Sequence, residues 1–515
     1  MTPRFLFLPL ALLFGCRTIA PTAQTTSQPV PVMVAVSAVN QPVTLLHIND
    51  VYEIAPLENG RVGGMARVAT LYKQLKKQNP NTWFFHAGDF LSPSVIGTLR
   101  NEGKTIRGKQ MVEVMNVAGV QYATFGNHEF DLDDAEPVNL QERINESRFE
   151  WFVANARQKQ GTQFVPFAKV VNGQRQAFPT SVILDTPGGK IGVLAVTIPV
   201  NKPYVQITDP IDAAKAEFDR LRPQCDAVIA LTHITIADDR RLATAVPDLA
   251  LIMGGHDHDH MLERVGNVVI AKADANARTA YIHRLTFDAN KQLTVASELK
   301  TIDLTTPDDS LTQAAVARWQ RIADASFAQL GFNPNEIVAT IKELWDGHEA
   351  AVRSHPTRMT DAIAKAMHAA YPTADVALFN GGSIRIDDVL EGNITQYDVV
   401  RMLPFGGGIE RVAMTGRLLN QLLEAGRLNV GRGGYLQLDG ATYAPEKRQW
   451  LVGGKPLQTD RDYEVAITNF LMTGKEFGMS YLTPANGGVK TTVSPPPGDY
   501  RADIRKVLIE YLKKL

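Results

Sequence analysis

The sequence predicts a layered α/β first domain joined by a helix to a second α/β domain. Three observations carry this expectation. Short apolar runs alternate with stretches of helical composition from Val43 onward, and each run stops on a polar cluster. The alternation breaks at Thr305-Thr306-Pro307-Asp308-Asp309-Ser310 and resumes near residue 335. With 515 residues and 44% hydrophobic side chains, the chain exceeds what one compact core serves.

Taken in order, the runs Thr44-Leu45-Leu46-His47-Ile48, Trp83-Phe84-Phe85, Tyr122-Ala123-Thr124-Phe125, Ala227-Val228-Ile229-Ala230-Leu231 and Leu249-Ala250-Leu251-Ile252-Met253 read as buried strands. Residues 65–77 and 109–117 read as helices between them. Residues 311–327 have helix-forming composition, with Ser310 as the expected N-cap, and form the interdomain helix. In the second region, Leu418, Leu419, Leu422 and Leu423 share one helical face. Ile504, Val507, Leu508, Tyr511, Leu512 and Leu515 share another at the C-terminus.

The N-terminus has Arg4, an apolar run over 5–14, and then Gly15-Cys16, the order of an export signal over residues 1–16. Ten apolar residues are too few to span a bilayer. Leu13-Phe14-Gly15-Cys16 resembles a bacterial lipobox, which implies lipidation at Cys16 and a periplasmic or cell-surface location; the other reading is a secretory signal that happens to contain Cys. Residues 17–40, rich in Thr, Gln, Pro, Ala and Val, suit an extended tether. Without Cys16 only Cys225 remains, so no intramolecular disulfide is expected, and Cys225 reads as a small buried hydrophobe. Lys plus Arg (53) nearly balance Asp plus Glu (54), so no global field favours a nucleic-acid polymer or an anionic membrane.

The five strand ends carry the chemistry, because ligands of open α/β sheets bind beyond the carboxyl ends of strands. They end on Asn49-Asp50, Gly88-Asp89, Gly126-Asn127-His128, Thr232-His233 and Gly254-Gly255-His256-Asp257-His258. Seven of the eleven histidines (47, 86, 128, 233, 256, 258 and 260) lie in or beside these clusters. Carboxylate, amide oxygen and imidazole together suit a pair of divalent ions such as Zn, Mn, Co or Fe. A shared carboxylate holds two such ions at roughly 3.5–4 Å, where they clamp a phosphoryl oxygen and activate water.

In this order the clusters resemble the calcineurin-like metallophosphoesterase superfamily, and Gly126-Asn127-His128-Glu129-Phe130-Asp131 resembles its 5′-nucleotidase branch. The resemblance implies a four-layer α/β/β/α catalytic domain over 41–304, an interdomain helix and linker over 305–334, and a substrate-binding domain over 335–515. It implies that Asp89 bridges the metals, that Asn127, His233 and His256 complete one site, and that Asp50 and His258 belong to the other. His128 then contacts the phosphate as catalytic residue, oriented by Asp131. A carboxylate-held His is a competent acid near neutral pH. The superfamily's Asp-x-His is here Asp50-Val51-Tyr52. Tyr52 either hydrogen-bonds without ligating or, as phenolate, selects ferric iron.

Further on come Phe379-Asn380-Gly381-Gly382-Ser383-Ile384-Arg385, Met402-Leu403-Pro404-Phe405-Gly406, Gly434-Tyr435-Leu436-Gln437 and Asn469-Phe470-Leu471. Each alone is ordinary turn or core. Together they resemble the C-terminal domain of 5′-nucleotidases across most of 345–485. That implies substrate contacts from Arg353, Asn380 and Arg385, and a nucleobase clamp of Phe405 and Phe470. Two departures stand out. Gly474-Lys475-Glu476 replaces a Gly-Gly-Asp, leaving Glu476 in the ribose-binding place, and residues 353–359 depart from the family's Arg-to-Leu-Gly-Asn helix.

The expected function is that of an exported enzyme for metal-dependent hydrolysis of extracellular or periplasmic nucleoside 5′-monophosphates to nucleoside and phosphate, extending to nucleotide sugars or 2′,3′-cyclic nucleotides. The alternatives are the same chemistry on a non-nucleotide phosphate or a sulfur ester, or a catalytically impaired nucleotide- or metal-binding lipoprotein.

Overall fold

The computed structural model describes residues 42–58, 60–386 and 388–515. The leader over 1–16 with Cys16 and the tether over 17–40 lie outside the described residues.

The first domain is built on twelve strands: Val43–Ile48 (β1), Thr82–His86 (β2), Tyr122–Ala123 (β3), Glu150–Trp151 (β4), Ser181–Asp185 (β5), Lys190–Thr197 (β6), Ala227–His233 (β7), Leu251–Gly254 (β8), Met261–Val265 (β9), Val268–Lys272 (β10), Thr279–Phe287 (β11) and Leu293–Thr301 (β12). They form two six-stranded sheets, ordered β12-β11-β1-β2-β3-β4 and β5-β6-β7-β8-β10-β9. Strands β1 to β4 run parallel, as do β6, β7, β8 and β10, with antiparallel partners at the edges.

Every residue of β1 is buried because both its faces are covered. Val43 and Leu45 meet Val193, Ile229 and Met253 of the other sheet in one apolar layer. Leu46 and Ile48 point the opposite way, towards Val68, Leu71, Met111 and Met115 of helices Met65–Gln78 and Lys109–Ala118. Beyond the second sheet, helices Pro210–Leu221 and Ile236–Ala245 cover Leu194, Val228 and Ile252. The result is helix, sheet, sheet, helix.

The connecting helix spans Ser310–Gln329. Its cap is Asp309, whose carboxylate accepts from Thr312 N; Ser310 is the first helical residue rather than the N-cap expected from sequence. A carboxylate one residue earlier reaches the free N–H groups and also pairs with Lys73. Val316, Trp319 and Phe327 of this helix join an apolar cluster that runs without a break from Val68 to Trp345 and Met359.

The second domain adds Ile337–Asp346 (β13), Val376–Asn380 (β14), Val389–Thr395 (β15), Ile409–Thr415 (β16), Leu436–Asp439 (β17), Asp462–Thr468 (β18) and Val489–Val493 (β19). Five of these make a sheet ordered β17-β14-β18-β16-β19, and β13 pairs with β15. Helices Arg358–Ala370 and Ile504–Leu512 pack on one face of that sheet, and Gly416–Leu428 on the other through Leu418, Leu419, Leu422 and Leu423. The C-terminal helix ends before Leu515, which is 77% exposed and not part of the apolar face expected from sequence. Cys225 is buried and free.

Candidate functional site

The strand ends of both first-domain sheets meet on one rim. Asp50 follows β1, Asp89 follows β2, Asn127 follows β3, His233 closes β7, and His256 and His258 follow β8. His47 Nε2 lies 3.1 Å from the carbonyl of Gly254, so a side chain of β1 ties directly to the end of β8 across the sandwich. Four of these residues sit in the left-handed region: Asp50 (φ 53°), Asp89 (φ 59°), His256 (φ 87°) and His258 (φ 66°). Such backbone costs on the order of 1–3 kcal/mol per residue and persists only where neighbours enforce it. Here Asp50 N donates to Gly88 O (3.0 Å), and His256 N donates to Asp50 Oδ2 (2.9 Å). Gly126 is required by close approach, since a Cβ there would lie 2.1 Å from Asp89 Oδ1.

The facing atoms form a tight donor set. Ligating atoms of Asp50, Asp89 and His233 lie within 4.8 Å of one another, and all three residues are buried. His233 Nε2 is 3.2 Å from Asp89 Oδ2, 3.2 Å from Asn127 Oδ1 and 4.0 Å from Asp50 Oδ1. His258 Nε2 is 3.3 Å from Asp50 Oδ1, and His256 Nδ1 is 3.2 Å from Asn127 Oδ1. His233 Nδ1 sits 2.7 Å from the carbonyl of Ala87, which fixes its proton there and turns the Nε2 lone pair towards oxygen acceptors alone. Lone pairs converging in a buried space call for a cation, so the residues fit a divalent metal. Burial opposes a charged ring, yet the Asp89 and Asp50 carboxylates push His233 up to about 10. Burial likewise raises Asp50, but facing His233 and His258 hold its carboxyl well below the usual range.

Tyr52 lies within this set. Its hydroxyl is 3.0 Å from His258 Nε2, 3.3 Å from Asp89 Oδ2 and 3.4 Å from Asp50 Oδ1. Burial first, then the Asp89 and Asp50 charges, push the phenol well above its ordinary value, so a protonated O–H faces these acceptors.

His128 opens the 3₁₀ turn His128–Leu132. Its backbone N–H donates to Asp89 Oδ1 (2.7 Å), and its Nδ1 lies 2.6 Å from Asp131 Oδ2. Asp131 is braced by Lys202 at 3.6 Å. From the second domain, Arg385 Nη2 reaches 3.3 Å from His128 Nδ1 and 3.4 Å from Nε2. Asn380 ends β14 and donates to Glu476 Oε2 (2.8 Å). Arg353 pairs with Glu349. Phe405 and Phe470 are 64% and 42% exposed, on adjacent loops joined by Asn469 N to Gly408 O (2.9 Å).

Comparison with known proteins gives this geometry its family. Residues 43–260 match the family model for calcineurin-like phosphoesterases, and residues 337–482 match that for the 5′-nucleotidase C-terminal domain. The chain belongs to the 5′-nucleotidase family. It is 24% identical over 500 residues to the 5′-nucleotidase of Mus musculus, covering 84% of this chain and 82% of the relative. It is 26% identical over 504 residues to an apyrase of Tabanus yao, covering 84% and 86%. A crystal structure of the 5′-nucleotidase precursor from Thermus thermophilus shares the fold, with a TM-score of 0.70 at 22% identity over 92% of this chain and 96% of that one. This 5′-nucleotidase-family chain is therefore a metal-dependent phosphoric ester hydrolase, and divalent metal is implied by its family and by its donor set.

Three residues of this family member escaped the sequence reading. Glu129 lies inside the quoted motif without an assigned role; it is fully buried and accepts from the backbone N–H groups of Asp89 (2.8 Å), Phe90 (2.7 Å), Leu91 (3.0 Å) and Gly126 (2.6 Å). It fixes the Asp89 loop. Lys272 ends β10 with no exposure, and its Nζ pairs with Asp239 (2.8 Å) and Asp257 while donating to the carbonyls of Ile234 (2.6 Å) and Gly255 (2.7 Å). It anchors the loop of His256 and His258 from behind and draws Asp257 away from the site. A lysine closing the apolar run Val268-Val269-Ile270-Ala271 was the available signal. Glu349 had no signal beyond its spacing to Arg353. No helix among the described residues is long and apolar enough to cross a membrane.

Proposed function

We propose that this protein hydrolyses nucleoside 5′-monophosphates to nucleoside and phosphate outside the cytoplasm, with Asp50, Asp89, Asn127, His233, His256 and His258 holding two divalent ions. The observation that carries the reading is the meeting of Arg385 with His128 beside Asp89, which joins an anion-recognising group of one domain to the donor set of the other. Divalent ions bound there would polarise a phosphoryl oxygen and supply an activated water. Asp131 holds His128 Nδ1, leaving Nε2 to stabilise charge on the phosphate or to protonate the leaving oxygen. Arg385 and Arg353 bind phosphate oxygens, Asn380 and Glu476 hold the sugar, and Phe405 and Phe470 clamp the base. The leader over 1–16 directs export, with Cys16 as lipid anchor, and the catalytic and substrate-binding domains span 41–304 and 335–515 about the helix and linker over 305–334.

The cavity lined by Tyr52, His128, His258, Glu349 and Arg385 has a volume of about 10 Å³. That admits roughly one water and no phosphate, so the domains separate to load substrate. Covalent cross-linking of the two domains abolishes turnover on this account; undiminished turnover removes it. The primary test is phosphate release from AMP, UMP, UDP-glucose, 2′,3′-cyclic AMP and an aryl phosphate, with chelator and after each metal is restored. AMP cleavage lost to chelator and regained with metal is expected. Silence across the panel with metal bound rejects the reading.

A further inference from the structure

A clasp of charged side chains joins the two domains beside the donor set. Arg278 of the first domain uses both ends of its guanidinium: Nη1 pairs with Glu58 of the same domain, and Nη2 donates to Asp388 Oδ1 of the second domain (2.6 Å). Asp388 is buried, and it is held from its own side as well. Its Oδ1 also accepts from Val389 N (2.7 Å), and its Oδ2 accepts from Arg401 Nη2 (3.1 Å). Each partner is thus aimed by neighbours of its own domain, so little side-chain freedom is lost when the two pair.

Both ends of the clasp lead to the site. Arg278 follows the turn Ala275–Ala277, in which Ala275 N donates to the carbonyl of His258 (2.8 Å) and Asn276 N to that of Asp50 (2.7 Å). Asp388 stands three residues after Arg385, whose Nη2 lies 3.3 Å from His128 Nδ1. Backbone bonds fix both ends of that short segment within the second domain: Arg385 N donates to Met402 O (3.0 Å), and Gly347 N donates to Asp388 O (3.0 Å). A displacement of Asp388 relative to the first domain therefore carries Arg385 with it. We propose that Arg278 and Asp388 are positioning residues: their pairing seats the second domain on the first so that Arg385 faces His128 and the phosphate.

The inference rests on the reading of Arg385 as a phosphate-binding group, and its test separates the two. Removing Arg278 strands no charge, since Asp388 keeps Arg401 (3.1 Å) and Glu58 keeps Arg61 (3.4 Å), so Arg278→Ala should fold. Kinetics with AMP are measured on the metal-loaded full chain and on Arg278→Ala, Arg278→Lys, Arg385→Ala and the double alanine variant. Arg278→Ala should lower kcat/KM about tenfold, mainly through KM, with metal content at the wild-type level. Arg278→Lys should recover to within about threefold of wild type, because an ammonium can reach Asp388 but cannot serve both carboxylates. In the Arg385→Ala background, Arg278→Ala should cost less than about twofold, since the arginine it positions is gone. Losses that multiply, wild-type kinetics in Arg278→Ala, or no recovery in Arg278→Lys would each overturn the proposal. A second readout needs no turnover: the ring-carbon NMR signal of His128 in the zinc-loaded, histidine-labelled protein should move alike in Arg278→Ala and Arg385→Ala. If the wild-type chain does not cleave AMP, the functional reading fails instead and this signal decides for the clasp. A common shift then supports the proposal, and a His128 signal unchanged in Arg278→Ala overturns it.

Discussion

The two halves of the site differ in how they are held. In the first domain Asp50, Asp89 and His233 are buried within 0–1% exposure, Asp50 and Asp89 in left-handed backbone, with Glu129 and Lys272 bracing the loops from behind. In the second, Arg353, Arg385 and Glu476 are partly exposed, and Phe405 and Phe470 stand open to solvent. A metal centre needs fixed donors whose charges are held together at folding, whereas a recognition surface must admit its ligand and close on it. The rigid half is therefore expected to control chemistry, and the open half affinity.

Four experiments break or sharpen that comparison, from the largest effect down. Asp89→Asn should strip metal and lower kcat/KM by about 10³-fold or more, measured by metal analysis alongside turnover. Retained metal with ordinary activity would remove Asp89 from the centre. His128→Ala should lower kcat by roughly 10²–10⁴ while metal content stays at the wild-type level; concurrent metal loss would make it a ligand. Phe405→Ala and Phe470→Ala should each raise KM for AMP by about tenfold, within the roughly 1–3 kcal/mol of one stacked base, with kcat preserved. A change in kcat alone would contradict the division of labour.

The smallest effect concerns the interior behind the rigid half. Burial, then His47, holds His283 well below 6.5, and its ring stacks on Tyr281 and bonds Ser297 Oγ at 2.8 Å. The unfolded chain takes up this proton near 6.5 while the folded one does not. Its contribution is thus present above pH 6.5 and is lost as pH falls below it, at up to about 1.4 kcal/mol per pH unit. His283→Gln should flatten the acid side of the urea-unfolding stability profile of the chelated protein by about one proton. An unchanged slope would show that His283 is not buried neutral.

The sequence alone determined the layered first domain and the five donor clusters, because strand ends beyond apolar runs are local features with a fixed geometric meaning. Resemblance to the 5′-nucleotidase C-terminal domain also grouped Asn380, Arg385, Phe405 and Phe470. Only the tertiary structure decided what those residues touch. Arg385 reaches His128 across 257 positions, Lys272 holds the carbonyl of Gly255 from a different strand, and Glu349 faces a domain on the far side of a twenty-residue helix. Local pattern specifies an element and its exposed end. Which charges meet between elements depends on packing, and that is where the chemistry of this cleft is set.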